Sequence, residues 1–296
     1  MILFYASVFL LSSVMLAIAG DWLVRSLARI ARYFGWQEFT AAFFIMSVAV
    51  SVPEFLIGVT SAFQGIPELS LGNIIGANII HFTLALALAT IVLGKLEFDK
   101  EHIRVTVDFT ILFAVLPFLF MIDGALGRLD GFILLVSFFI YVIWVFSKRE
   151  RFGQYYNSYI FNGNGDNSAW EHFTKALRDS VMFLGGIILL LSSSVGIVSS
   201  ASFFAGYFNI PLMLVGVFVV ALGTALPETY FAVASARRGN ARMVVGNLLG
   251  STVLTASFVL GFVAMLRPIV ITNIPAYAVA RAFLVVSAIL LLIFSQ

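Results

Sequence analysis

Cysteine is absent from this 296-residue sequence, and charged residues are scarce. Without cysteine, the chain can form neither disulfides nor thiolate metal sites. Only 11% of the residues are charged, whereas about a quarter are charged in a typical soluble domain. Hydrophobic residues make up 61% of the chain. This balance excludes an ordinary soluble domain and indicates that the lipid bilayer is the main solvent.

Sequence motifs of common catalytic sites are also missing. The chain contains no HExxH metal motif, no nucleophile elbow and no phosphate-binding loop. Its net charge is only +2, and nothing in the distribution of charge favours nucleic-acid binding. We therefore expect a membrane protein that is not an enzyme and that carries no resident cofactor.

Nine apolar segments have about the length at which a helix crosses a bilayer, roughly 20 residues. The first segment begins at Met1 without a basic region before it, so we interpret it as a membrane helix and not as a cleaved signal peptide. A polar interval at 148–179 has the turn-forming composition of a surface loop. It predicts a first transmembrane repeat at 1–148, a loop at 149–179 and a second repeat at 180–296. The predicted spans are 2–19, 39–63, 69–94, 105–122, 129–147, 180–204, 211–236, 243–266 and 274–295.

The basic residues are distributed unevenly between the two sides of this layout. Short cytoplasmic loops accumulate lysine and arginine, and 14 of the 17 basic residues follow predicted helices 1, 3, 5 and 7. Only Arg128, Arg267 and Arg281 lie elsewhere. This pattern predicts a multi-pass protein of the plasma membrane, with its N-terminus outside the cell and the 148–179 loop in the cytoplasm.

An internal repeat relates the two halves of the chain. Its offset is 174 residues, the distance in sequence from Glu54 to Glu228, and it holds without a gap over two predicted helices. Five helices precede the second copy, an odd number, so the two copies enter the membrane with opposite polarity. Inverted repeats of this kind are typical of secondary transporters. Matched positions include Tyr33-Phe34 with Tyr207-Phe208, Pro53-Glu54 with Pro227-Glu228, Gly72-Asn73 with Gly246-Asn247, and Gly76 with Gly250.

Each repeat places a glutamate directly after a proline inside a predicted membrane helix. Proline has no N–H and disrupts the helix, so we expect free carbonyl groups at about 47–50 and 221–224, including those of Ser47 and Ala221. Glu54 and Glu228 beside such carbonyls would form an all-oxygen site of the kind that Ca²⁺ and Na⁺ prefer. A glutamate within a membrane helix is expensive and marks a functional site by default.

The helix after each glutamate carries glycines four residues apart, which permit close approach of another helix. His81 and Thr255 are equivalent under the repeat and lie one to two turns further along these helices. We expect them to complete the oxygen cage or, in the case of His81, to donate a hydrogen bond to a carbonyl group on a neighbouring helix.

These doubled motifs resemble the paired alpha repeats of the sodium/calcium exchangers, in the calcium:cation antiporter superfamily. The resemblance rests on Gly223-Thr224-Ala225-Leu226-Pro227-Glu228 with Gly246-Asn247-Leu248-Leu249-Gly250-Ser251, and on the weaker first copy Ala49-Val50-Ser51-Val52-Pro53-Glu54 with Gly72-Asn73-Ile74-Ile75-Gly76-Ala77-Asn78. It implies an all-α membrane fold of two inverted repeats of about five helices. It further implies export of Ca²⁺ against Na⁺ by alternating access to one central site, with helices 1 and 6 sliding over the remainder. Ten helices are implied, so the tenth is expected to be missing from this sequence.

The sequence departs from the exchanger pattern at several ligand positions. The resemblance implies that Glu54, Glu228, Ser51, Thr224 and Ser251 are retained ligands. Hydroxyl residues of the family are replaced at Val50, Ala77 and Ala225, and the usual Asn or Asp is replaced by His81 and Thr255. A divalent site remains expected, whereas the case for a full set of Na⁺ sites is weakened.

Three functions remain open at this stage. The first is an antiporter that exchanges Ca²⁺ or a similar divalent cation for Na⁺. The second is a proton-coupled exchanger that uses His81 and the two glutamates, because histidine titrates near neutral pH in water. The third is a cation channel, against which the inverted repeat argues. In each case the expected partners are the bilayer and small cations, and the protein is expected to be a monomer.

Overall fold

The computed structural model describes residues 1–33, 48, 50–94, 100–147, 169–239 and 241–294, and these residues are mostly helical. In chain order the helices are α1 (Ile2–Tyr33), α2 (Val52–Phe63), α3 (Glu68–Ile80), α4 (Leu86–Leu93), α5 (Lys100–Phe120), α6 (Arg128–Ser147), α7 (Ala169–Phe208), α8 (Leu212–Val215), α9 (Ala221–Thr224), α10 (Leu226–Arg237), α11 (Ala241–Val253), α12 (Leu260–Leu266) and α13 (Ile274–Phe294).

Short irregular elements connect some of these helices. The π-helical turns His81–Ala85, Gly216–Val220 and Leu254–Val259 join α3 to α4, α8 to α9 and α11 to α12. The 3₁₀ turn Met121–Asp123 follows α5. Two short strands, β1 (Ala125–Leu126) and β2 (Ile269–Val270), pair in antiparallel register with Ala125 opposite Val270. This pairing ties the two repeats together at one end of the molecule.

The membrane-spanning helices agree with the predicted layout. Within the described residues, six helices are long and apolar enough to cross a bilayer, or seven if the bent pair Leu212–Thr224 and Leu226–Arg237 forms one span. The predicted span 105–122 lies in α5, a helix with several charged residues in its first turns. The predicted span 39–63 is described only at 48 and 50–63, where it contains α2.

Two helices are longer than the sequence predicted. α1 continues to Tyr33, so Arg25, Arg29 and Arg32 lie on helix and not in a loop. α7 begins at Ala169, so the last eleven residues of the predicted loop are helical. At about 1.5 Å per residue, helices of 32 and 40 residues exceed the roughly 30 Å apolar core of a bilayer. The apolar pattern shows only the part of a helix that lies in lipid, which explains why the ends were missed.

The repeat predicted from the sequence is present in the structure. The 174-residue offset carries the bounds of α2 onto those of α10, and the bounds of α5 onto those of α13. The π turn after α3 corresponds to the π turn after α11. Gly65 and Gly239, at the ends of the matching helices α2 and α10, have φ angles of 84° and 75°, a conformation that glycine adopts at little cost.

The two repeats are inverted, because the equivalent helices α1 and α7 pack in opposite directions. Ser12 contacts Gly196, and Trp22 contacts Gly186, so the partner number falls as the α1 number rises. The repeat offset converts one of these contacts into the other. The two helices are therefore related by a pseudo-two-fold axis, as the fold prediction requires.

Small residues bring the repeats into backbone contact beside the site. A Cβ atom on Gly72 would overlap the carbonyl oxygen of Met213, and one on Gly76 would overlap that of Val217. A Cβ atom on Gly216 would in turn come within 2.6 Å of the Leu69 carbonyl oxygen. The glycines of α3 therefore serve close packing, as predicted, and they bring α3 next to the segment that leads into α9.

Candidate functional site

Both proline-glutamate pairs stand where a new helix begins. α9 ends at Thr224 and α10 begins at Leu226, with a bend of 42° between the flanking segments. Pro227 is the second residue of α10, as Pro53 is of α2. The predicted kink is thus a helix break with proline in the first turn of the following helix. Since Pro227 has no N–H, the carbonyl group of Gly223 has no helical donor four residues ahead.

Glu54 and Glu228 are the third residues of α2 and α10, and both are 0% exposed. The positive end of a helix dipole lies at this turn and favours an anion. The two carboxylates are close enough to repel each other. All four carboxylate oxygens are buried without a hydrogen-bond partner in the described part of the chain. Buried charges are normally paired or bound to cations, so this pair is a strong candidate for cation binding.

Thr224 is the predicted ligand next to the glutamates. Its side chain approaches the Glu54 carboxylate, and its hydroxyl donates a hydrogen bond to Asn73 Oδ1 at 3.0 Å. The Ala221 carbonyl accepts a bond from the Ala225 N–H at 2.9 Å and lies 3.4 Å from the Thr224 hydroxyl. The Ala221 carbonyl is therefore not free, contrary to the prediction from the sequence, because it accepts the Ala225 N–H at the end of α9; its second lone pair remains available to a cation.

Ser51 and Ser251 form a second polar contact between the repeats. Their hydroxyl oxygens lie 2.8 Å apart, and both residues are 0% exposed. Ser51 stands three residues before Glu54, at the start of α2. The repeat-related residues are Ala225 and Ala77, which pack together in one apolar cluster. The Ser51–Ser251 contact thus supplies two hydroxyl oxygens, whereas the equivalent Ala77–Ala225 contact supplies none.

His81 and Thr255 take part in a third contact, which both repeats retain. Thr255 donates to Asn78 Oδ1 at 3.2 Å, and the repeat-related pair is Thr252 with His81 Nδ1 at 3.5 Å. His81 Nε2 is buried and has no partner among the described residues. The imidazole also lines a cavity of about 860 Å³ with mostly apolar walls.

The structure brings together most of the predicted site. It joins Ser51 to Ser251 and Thr224 to Glu54, and it holds the two carboxylates near each other. Ser47 lies outside the described residues. Sequence reasoning did not assign a role to the residues that pair with the predicted ligands: Asn73, Asn78 and Thr252. The signal that could have found Asn73 was an amide within an apolar helix, repeated at Asn247 by the same offset.

The donor set consists of carboxylates, hydroxyls and carbonyls. In the described part of the chain, no group of three or more His, Cys, Asp or Glu side chains could hold a metal ion. Two carboxylates with neutral oxygens around them are the ligands that hard cations such as Ca²⁺ take.

Comparisons with known proteins find relatives over most of the chain. The family model described as sodium/calcium exchanger protein matches residues 4–147 and 179–295. An uncharacterized membrane protein of Methanocaldococcus jannaschii is 29% identical over 97% of this chain and 89% of its own length. The sodium/calcium exchanger MaX1 of Methanosarcina acetivorans is 25% identical over 97% of this chain and 90% of its own.

Solved structures give the same result for the fold. The sodium-calcium exchanger NCX_Mj, soaked with Na⁺ and Sr²⁺, matches with a TM-score of 0.64 and 26% sequence identity. The match covers 100% of this chain and 92% of that one. The same exchanger soaked without Na⁺ and Ca²⁺ matches with a TM-score of 0.60.

Proposed function

The chain belongs to the sodium/calcium exchanger protein family, and we propose that it exports Ca²⁺ or a similar divalent cation in exchange for Na⁺. The observation that carries this proposal is the pair of fully buried glutamates whose four carboxylate oxygens have no hydrogen-bond partner among the described residues. Two neighbouring carboxylates balance one divalent cation or two monovalent ones. Competition between the two kinds of ion for the same charges is the basis of exchange.

In this proposal Glu54 and Glu228 bind the divalent ion, with neutral oxygens completing its coordination. Thr224, Ser51 and Ser251 supply hydroxyl oxygens, and Ser47 and Ala221 supply carbonyl oxygens. His81 and Thr255 are further candidate ligands, and each is hydrogen-bonded to a residue of the opposite repeat. No resident cofactor takes part, and the only bound species are the transported ions.

Inverted repeats provide a physical basis for alternating access. When each repeat adopts the conformation of its partner, the opening to one side of the membrane closes and the equivalent opening on the other side forms. We propose that the protein works in this way as a monomer in the plasma membrane. Its N-terminus lies outside the cell and the segment at 148–179 lies in the cytoplasm, according to the distribution of basic residues.

Transport by purified protein in liposomes tests this function. Vesicles loaded with Na⁺ should take up radioactive Ca²⁺ from a Na⁺-free medium, whereas matched vesicles loaded with K⁺ should not. Uptake that follows an imposed pH gradient and ignores Na⁺ would establish proton coupling instead. Ca²⁺ flux that needs no counter-ion at all would identify a channel.

A further inference from the structure

Asn73 is buried beside the proposed ion site and is not one of the proposed ligands. It is 0% exposed and lies on α3 between two glycines that hold this helix against the segment leading into α9. This close approach allows a short amide side chain to reach the opposite repeat. The contact is specific, because Asn73 Oδ1 accepts the Thr224 hydroxyl at 3.0 Å.

The direction of that hydrogen bond decides what Thr224 can offer to an ion. A hydroxyl group has one proton and two lone pairs. If the Thr224 proton pointed at the neighbouring Glu54 carboxylate, it would occupy a lone pair that a cation needs. Asn73 Oδ1 is the nearest acceptor to the Thr224 hydroxyl, at 3.0 Å against 3.4 Å for the Ala221 carbonyl, and neither Glu54 oxygen has a hydrogen-bond partner among the described residues. The hydroxyl and the carboxylate then both present lone pairs, as a cation requires.

The repeat supplies a natural comparison for this arrangement. The 174-residue offset converts the Asn73–Thr224 pair into Asn247 and Val50, both of which are buried. Valine has no hydroxyl, and neither polar atom of the Asn247 amide has a hydrogen-bond partner among the described residues. The other repeat-related contacts of the site show that the pseudo-symmetry holds there.

We propose that Asn73 is a positioning residue for the ion site, which accepts the Thr224 proton and so turns the Thr224 lone pairs toward the cation at Glu54. Asn247 is its repeat-related twin and has no such task, because Val50 has removed the hydroxyl that it would orient. The proposal rests on the proposed function of the site and adds to it the reason why one threonine serves as a ligand.

A double-mutant cycle between Asn73 and Thr224 tests the proposal. Asn73→Leu keeps the side-chain shape and removes the acceptor, and Thr224→Val removes the hydroxyl. Ca²⁺ binding is measured as the midpoint of the Tm increase with CaCl₂ in detergent, and transport is measured separately in liposomes. Each single variant should weaken Ca²⁺ binding by about ten-fold, and the double variant should bind no more weakly than either single variant.

Asn247→Leu is the matched control. It removes a buried amide without a hydrogen-bond partner among the described residues from the position equivalent to Asn73, so it should raise Tm in the absence of ions. The CaCl₂ concentration at the midpoint of the Tm increase should remain unchanged. Thr224→Ser should retain wild-type binding, because it keeps the hydroxyl. Additive losses in the Asn73 and Thr224 cycle, or an equal loss of binding in Asn247→Leu, would overturn the proposal.

Restoring the missing hydroxyl gives a second, independent test. In a Val50→Thr background Asn247 acquires a hydroxyl to orient, so Asn247→Leu should now weaken Ca²⁺ binding by several-fold. An effect of Asn247→Leu that is the same with and without the Val50→Thr substitution would contradict the proposal. These binding measurements do not depend on the counter-ion. If the wild-type protein showed no Na⁺-driven uptake while the double-mutant cycle gave the expected Ca²⁺ binding, the proposed exchange would be refuted. The role of Asn73 would still hold in that case.

Discussion

The two sides of the ion site are equivalent in backbone but different in chemistry. On one side of the pseudo-two-fold axis, α3 faces the helix break through Asn73 with Thr224 and Ala77 with Ala225. On the other side, the equivalent positions are Asn247 with Val50 and Ser251 with Ser51. We call the hydrogen-bonded pairs Asn73–Thr224 and Ser51–Ser251 the polar set, and their repeat-related positions, Asn247 with Val50 and Ala77 with Ala225, the apolar set. Each side thus holds one member of each set. The difference teaches that inverted symmetry builds the fold and the pair of glutamates, whereas individual side chains decide which positions present oxygens.

The largest effect is expected at the feature that both sides share. Glu54→Gln and Glu228→Gln should each weaken Ca²⁺ binding on the order of 100-fold, which corresponds to about 2.7 kcal/mol, because each removes a buried negative charge beside the cation. Calcium-dependent Tm shifts and uptake in liposomes measure the loss. Glu68→Gln is the matched control, since Glu68 is partly exposed and hydrogen-bonded to Thr272 at 3.0 Å. Preserved tight binding in both site variants would refute the site assignment.

A smaller effect is expected when the packing that supports the Asn73–Thr224 contact is disturbed. In Gly72→Ala the new methyl group would overlap the Met213 carbonyl, so α3 must move away from the segment before α9. We expect a loss of about 1–3 kcal/mol in stability, from overpacking, together with weaker Ca²⁺ binding. Gly185→Ala is the control, because its added Cβ would lie 4.0 Å from the nearest atom, in Trp22. Unchanged Tm and binding in Gly72→Ala would show that this contact does not position Asn73.

Exchange of hydroxyl and methyl groups should make the Ser51–Ser251 contact and its repeat-related Ala77–Ala225 contact more alike. Ser51→Ala removes one oxygen from the polar set and should lower apparent Na⁺ affinity by about two- to ten-fold, the equivalent of about 0.5–1.5 kcal/mol. The double variant Ala77→Ser with Ala225→Ser adds the missing pair and should make the Na⁺ dependence of Ca²⁺ release steeper. Flux measured over a series of Na⁺ concentrations tests both. Equal Na⁺ curves in wild type and both variants would mean that these positions do not contact Na⁺.

The smallest effect is expected at the contact that both sides keep. Thr252 and His81 Nδ1 are 3.5 Å apart, at the limit of a hydrogen bond. Thr252→Val should therefore change Ca²⁺ binding by less than about two-fold, whereas Asn78→Leu breaks the shorter 3.2 Å bond from Thr255 and should change it more. The CaCl₂ concentration at the midpoint of the Tm increase, measured for both variants, tests this order. A larger loss in Thr252→Val would show that His81 depends on that contact.

Much of the architecture was predictable because it depends on local patterns. Apolar segment length predicted the spans, and the fixed offset between the Pro53-Glu54 and Pro227-Glu228 motifs predicted the repeat and its inversion. The helix ends at Tyr33 and Ala169 were not predictable in this way, because helix that continues into water leaves no apolar signal. The break at Ala225 was expected from Pro227, although the sequence did not show that the proline would lie in the first turn of α10.

The sequence identified the candidate ligands but not the contacts that support them. Glu54 and Glu228 stand out because a carboxylate is costly within an apolar helix. Asn73 has the same kind of signal, but its partner, Thr224, is 151 residues away in sequence. No periodicity within one helix indicates which residue of another helix it faces.

By itself, the sequence determined the membrane environment, the inverted repeat and the two glutamates at its centre, because composition, period and offset are properties of the chain alone. Only the tertiary structure decided that Asn73 meets Thr224 while Asn247 meets no partner among the described residues. The reason is that the direction of a buried proton depends on which acceptor lies within about 3 Å. That distance is set by the packing of α3 against the opposite repeat.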